Sequence, residues 1–162
     1  MSTRLDLRVP PAWEAAKATW DTCAAYFADQ KLDPDVAYAL CMVSQELLEN
    51  AVKYGAYPAG EGAIDLEVRT AAREVTIEVR SPVSADSSGQ LKRLDGTIQW
   101  IRGFQTPFEA YVERLKAVSA QPYTPGESGL GLVRIAYEGQ CILDFFVNEN
   151  DLLAISAVYR RA

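Results

Sequence analysis

Glu46, Asn50 and Lys53 stand in the run Glu46-Leu47-Leu48-Glu49-Asn50-Ala51-Val52-Lys53-Tyr54-Gly55. Their three- and four-residue steps put side chains on one face of a helix, so an acid, a carboxamide and an ammonium project side by side. A carboxylate and an amide oxygen so placed suit holding a water and a hard cation together. The same spacing also describes an ordinary solvated helix face, and a second segment separates the two readings. Gly126-Glu127-Ser128-Gly129-Leu130-Gly131-Leu132 lets the backbone approach a ligand closely. The apolar residues that follow, Val133, Ile135, Ala136 and Tyr137, begin a helix whose bare amides would make an anion site, phosphate above all.

The element that must carry the first group is the longest helix in the chain. Asp33-Pro34 supplies its N-cap and a first-turn proline, and Gly55 stands where a left-handed residue would end it. Val36, Leu40, Val43 and Leu47 form its apolar stripe, with Glu46, Asn50 and Lys53 along the edge.

Before it, Leu5, Leu7 and Val9 alternate as a short strand closed by Pro10-Pro11. A single amphipathic helix is expected from about Ala12 to Gln30, with Trp13, Ala16, Trp20, Cys23, Ala24 and Phe27 on one broad face. After it, Ile64, Leu66 and Val68, then Val75, Ile77 and Val79, read as an antiparallel hairpin with one buried face. Cys141, Leu143, Phe145 and Val147, then Leu153, Ile155, Ala157 and Tyr159, read as a second hairpin turned by Asn148-Glu149-Asn150-Asp151. The fold class that follows is α+β, a two-layer sandwich with helices on one face of a mixed, mostly antiparallel sheet.

ELLENAVKYG and GESGLGL resemble the N box and the second glycine box of the GHKL (histidine-kinase-like) ATPase superfamily. Within it, the small size is most similar to the anti-sigma-factor serine kinases that switch partners in bacteria. The resemblance implies a GHKL ATP-binding fold over one domain, residues 1–162, with an enlarged lid at about 87–125. It implies Glu46 as general base, Asn50 as magnesium ligand and nucleotide contact, Lys53 as a phosphate contact, and Gly126, Gly129 and Gly131 as the loop over the phosphates. ATP and magnesium are the cofactors implied. The implied partner is an anti-anti-sigma-like domain or a sigma factor, and a homodimer is left open because small regulators of this kind often pair.

One part departs from the family pattern. There, the strand equivalent to Val75–Arg80 ends in an Asp followed by two glycines, and that Asp takes the adenine amino group. Here the chain runs Ser81-Pro82-Val83-Ser84-Ala85, and Asp86 with Gly89 offers a shifted substitute. The lid that follows is rich in apolar residues. Ile98, Ile101 and Phe104 suggest one short helix, and Thr106-Pro107-Phe108-Glu109 is a capping box ahead of a stripe of Phe108, Tyr111, Val112, Leu115 and Val118. Trp100, Phe104 and Phe108 would fill an emptied pocket, form a binding face or extend the core.

Composition narrows the remaining classes. A chain of 162 residues, 49% hydrophobic, fits one domain with a sizeable core. A net charge of −6 argues against a nucleic-acid partner, which needs clustered Lys and Arg. With no histidine, the chain has no Ser-His-Asp or Cys-His site and no phosphohistidine of its own. Cys23, Cys41 and Cys141 lack any paired spacing and read as small buried hydrophobes in a reducing compartment. Met1-Ser2-Thr3-Arg4 precedes no apolar run and no stretch reaches membrane-spanning length, so a cytoplasmic location away from membranes is expected.

The function expected from these readings is a regulatory serine/threonine kinase that binds Mg-ATP and phosphorylates or sequesters a protein partner. The alternative is a non-catalytic interaction module of the same fold that has lost nucleotide. A self-contained ATPase clamp fits less well, because no second domain is present to be moved.

Overall fold

The computed structural model describes residues 3–84, 88–121 and 130–161. One five-stranded sheet runs in the order β1-β2-β3-β5-β4, built from β1 (Thr3–Val9), β2 (Ile64–Thr70), β3 (Glu74–Pro82), β4 (Cys141–Val147) and β5 (Leu152–Arg160). Every pairing among the described residues is antiparallel, so the mixed sheet expected from sequence is corrected to an antiparallel one. The α+β two-layer architecture itself is as expected. Alternation sets its two faces. Leu66, Val79 and Ile155 stand in register, as do Val68, Ile77 and Ala157, and these rows face the helices.

The other face carries charge. Glu67 on β2 is nearly buried there, because Arg4, Arg69 and Arg80 close over it; the Arg4 Nη2 lies 2.5 Å from its Oε2. A buried carboxylate persists in a sheet when it is paired in this way.

The helical layer is centred on α3 (Pro34–Tyr54), which contacts β2 and β3 below and three other helices beside it. Its start follows the sequence reading, with the Asp33 side chain accepting from the Asp35 amide at 2.9 Å and proline in the first turn. Leu40, Val43 and Leu47 are fully buried, joined by Leu48 and Ala51. Its end differs from expectation. Gly55 is extended, at φ −70° and ψ 159°, and is not left-handed. The Tyr57 ring folds back over it, and a Cβ on Gly55 would lie 2.4 Å from the Tyr57 hydroxyl, which donates to the Ala51 carbonyl at 2.8 Å. Glycine is required there for close approach of a ring, and Tyr57 rather than a left-handed turn satisfies the helix end.

The first helix is also two, α1 (Trp13–Ala18) and α2 (Trp20–Asp29). At the break the Ala16 carbonyl is taken by three donors: the Thr19 amide at 3.2 Å, the Thr19 hydroxyl at 2.7 Å and Gln45 Nε2 of α3 at 2.8 Å. A carbonyl engaged by a hydroxyl three residues on and by another helix is withdrawn from the regular ladder, and the helix steps there.

The expected lid holds α4 (Ser88–Arg102) and α5 (Pro107–Ser119). The first is far longer than the short helix read from Ile98, Ile101 and Phe104. The second begins as its capping box indicates, with the Thr106 hydroxyl accepting from the Glu109 amide at 3.3 Å. Its stripe is less buried than expected. Ala110 is the residue of α5 that is fully covered, whereas Phe108 is 51% and Leu115 37% exposed. Phe108 and Tyr111 instead lie against the Tyr137 ring of α6 (Gly131–Tyr137).

Asn148 turns the second hairpin, its Oδ1 accepting from the Asn150 and Leu152 amides at 2.9 and 3.0 Å. All three cysteines are free and buried. No helix among the described residues is long and apolar enough to cross a membrane.

Candidate functional site

Glu46, Asn50 and Lys53 come together on one wall of a cleft of about 1000 Å³, at the upper end of the range usual for small-molecule sites. Helix α3 supplies that wall, with Glu49 and Tyr54 beside them. The floor is apolar, made by Val79 and Val83 of the β3 strand and its exit and by Leu153 and Ile155 of β5. The far wall is α4 and α5, which bring Lys92, Arg93, Trp100 and Arg114. An acid–amide wall thus stands with a wall of three cations around one cavity.

Gly131, the first residue of α6, closes one end. The resemblance implied for it the role of a backbone hinge over phosphates. In the fold it adjoins Glu46, for a Cβ on Gly131 would lie 2.8 Å from the Glu46 Oε2. The carboxylate therefore occupies the space that the absence of a side chain leaves. Gly126 and Gly129, with the rest of 122–129, lie outside the described residues, as does Asp86, the shifted substitute for the missing adenine-binding acid.

Glu46 is mostly covered, with 14% of its side chain exposed. Its Oε1 accepts from the Arg134 Nη1 of α6 at 3.0 Å. Burial pushes its carboxyl above the ordinary range; Arg134 opposes this, and the neighbouring charges of Glu49 and Glu138 add to the rise. A carboxyl held this way is a better proton acceptor near neutral pH than a solvated one. Asn50 is half-buried and Lys53 exposed, the latter with Nζ 5.0 Å from the centre of the Tyr54 ring.

At the floor, Ser81 stands at the strand end where the resemblance implied an acid. It is 4% exposed and lies within hydrogen-bonding reach of Tyr57, whose own hydroxyl burial pushes up to about 12. That end of the cleft offers a neutral hydroxyl in place of a carboxylate.

The lid aromatics divide. Trp100 is on the cleft wall and 40% exposed, with its ring edge-on to Phe104 at 4.8 Å. Phe104 lines a separate apolar cavity of about 160 Å³ under α4, with Ile98, Ile101 and Leu143. Phe108 lines neither. The emptied-pocket reading therefore fails for all three: none of them fills the main cleft.

The cations Lys92, Arg93 and Arg114 were not singled out from sequence as site residues. The signal that finds Lys92 and Arg93 is the spacing of Leu91, Leu94, Ile98 and Ile101, which orients α4; Arg114 comes from α5. Among the described residues no group of three or more acidic or cysteine side chains is placed to hold a metal alone. Magnesium is commonly held by one or two protein oxygens together with substrate phosphates and water, and the side-chain oxygen of Asn50 fits that donor set, leaving Glu46 outside it.

No protein-family model matches the chain, and no curated protein matches it. Among solved structures, the chain is similar to one in the SiaB-SiaC complex from Pseudomonas aeruginosa, with a TM-score of 0.70 and 21% identity over 96% of this chain and 88% of that one. This likeness extends to the whole α+β arrangement.

Proposed function

We propose that the chain is a regulatory protein of the histidine-kinase-like ATPase superfamily that binds Mg-ATP in this cleft and transfers its terminal phosphoryl group to a serine or threonine hydroxyl of a protein partner. The observation that carries this reading is the convergence of Glu46 and Asn50 with Gly131 at one end of a cleft whose other wall is basic. A polyanion bound with a cation suits such a pair of walls. Magnesium, when bound, would offset the charge of the phosphates. Glu46 then accepts the hydroxyl proton as the new O–P bond forms, while the bond from phosphorus to the bridging oxygen breaks and its electron pair leaves with ADP. Lys53, Lys92 and Arg114 stabilise charge on the transferring group. A protein partner is supported by the similar structure, which is itself that of a complex. An anti-anti-sigma-like domain or a sigma factor is the partner this reading favours, with the chain acting as a single domain in the cytoplasm.

Titration calorimetry with a non-hydrolysable ATP analogue tests the reading. Binding should strengthen when magnesium is added, and Asn50→Ala should remove most of that gain while leaving the magnesium-free affinity within about twofold. Folded protein that gives no heat up to millimolar analogue would sink the kinase reading.

A second reading is favoured by one observation, the neutral Ser81 and the donorless Pro82 at the floor. On it the chain is a non-catalytic interaction module of the same fold. The calorimetric result decides between them.

A further inference from the structure

Arg134 lies one turn into α6 and reaches across the seam to α3. Its Nη1 donates to the Glu46 Oε1 at 3.0 Å and its Nε donates to the Glu138 Oε2 at 3.0 Å. The planar fork joins two carboxylates, and Glu138 holds the guanidinium in the orientation that grips Glu46. Arg134 does not line the cleft. Whatever it does to a bound substrate, it does through Glu46.

We propose that Arg134 is the positioning residue of Glu46: it holds Oε1 and leaves Oε2 against Gly131 at the cleft. The inference rests on the reading of Glu46 as proton acceptor. Its physical basis is the conflict at that side chain. Burial favours the neutral acid, which cannot accept a proton, and the charges of Glu49 on α3 and Glu138 on α6 push the same way. Arg134 is the opposing charge in contact with Glu46, and Tyr111 of α5 is the further titratable group near the guanidinium. Because Arg134 and Gly131 belong to one short helix, docking of α6 on α3 sets both the charge of Glu46 and the space its second oxygen occupies. Glu46 is thus competent as a base only while that docking holds.

The experiment uses the full chain, with carbon-13 in the glutamate carboxyls, as wild type, Arg134→Gln and Arg134→Lys. Two quantities are read: the titration of Glu46, assigned by its loss in Glu46→Gln, and the turnover of Mg-ATP with water as acceptor. In Arg134→Gln, shown folded by circular dichroism, the Glu46 titration and the acidic limb of turnover should both move to higher pH. The kcat should fall roughly 10- to 100-fold with KM nearly unchanged. Arg134→Lys should restore most of the titration and part of kcat, since it returns the charge without the fork. A Glu46 titration in Arg134→Gln that matches wild type, or a turnover that rises, overturns the proposal. Should wild type neither bind nor turn over Mg-ATP, the functional reading falls, and the carboxyl titration with its lysine rescue still decides what Arg134 does to Glu46.

Discussion

Glu46→Gln is expected to lower phosphoryl transfer by about 10²- to 10⁴-fold, the usual contribution of a positioned general base, while Mg-nucleotide still binds. Glutamine keeps the shape of the side chain and a partner for Arg134, so loss of the carboxylate's basicity dominates. Single-turnover transfer with radiolabelled ATP, beside calorimetry on the same variant, separates chemistry from binding. The wild-type rate should fall off on the acid side above the ordinary carboxylate range. The sign follows from the site: the base works when deprotonated, and burial raises the pH at which it becomes so. Transfer that survives in Glu46→Gln at near wild-type rate would remove Glu46 from the chemistry.

Phe27→Ala should cost about 3–5 kcal/mol of folding stability, a large part of the 5–15 kcal/mol typical of a domain. Phe27 is 0% exposed on α2, the helix that packs directly on α3, and truncation leaves a cavity that the neighbouring Tyr26 ring, 5.5 Å away, is too rigid to fill. Urea unfolding should show a lower midpoint with an unchanged slope. A loss under about 1 kcal/mol would mean that α2 does not support α3 as described. Phe27 does not line the cleft, so the folded fraction should bind nucleotide as wild type does.

Where a signal was local, it was legible. The Asp33 cap, the Thr106 capping box, the Asn148 turn and the alternation of β2 and β3 each depend on residues close in sequence, and each stands in the structure. Glu46, Asn50 and Lys53 were legible as a group for the same reason, since helical spacing alone brings them together. What escaped depends on contacts between distant residues. The step at Thr19 needs Gln45, and the ending at Gly55 needs the Tyr57 ring to fold back. The pairing of Glu46 with Arg134 spans 88 positions and leaves no trace in either local run. The length of α4 was obscured by Gly89 and Gly96, poor helix residues inside a segment whose apolar spacing nonetheless continues. The all-antiparallel sheet follows from which strands become neighbours, and the alternation that marks each strand says nothing of its partner.

The burial of the three cysteines has a practical consequence. Burial pushes the thiols of Cys23, Cys41 and Cys141 up to about 11, 12 and 12. At neutral pH roughly one in ten thousand or fewer is then the reactive thiolate, and each is shielded from solvent as well. A cysteine introduced at the exposed Ser119, at the end of α5, would therefore take a maleimide dye selectively with every native thiol left in place. The dye's emission would report on the lid side of the cleft in an otherwise unaltered core.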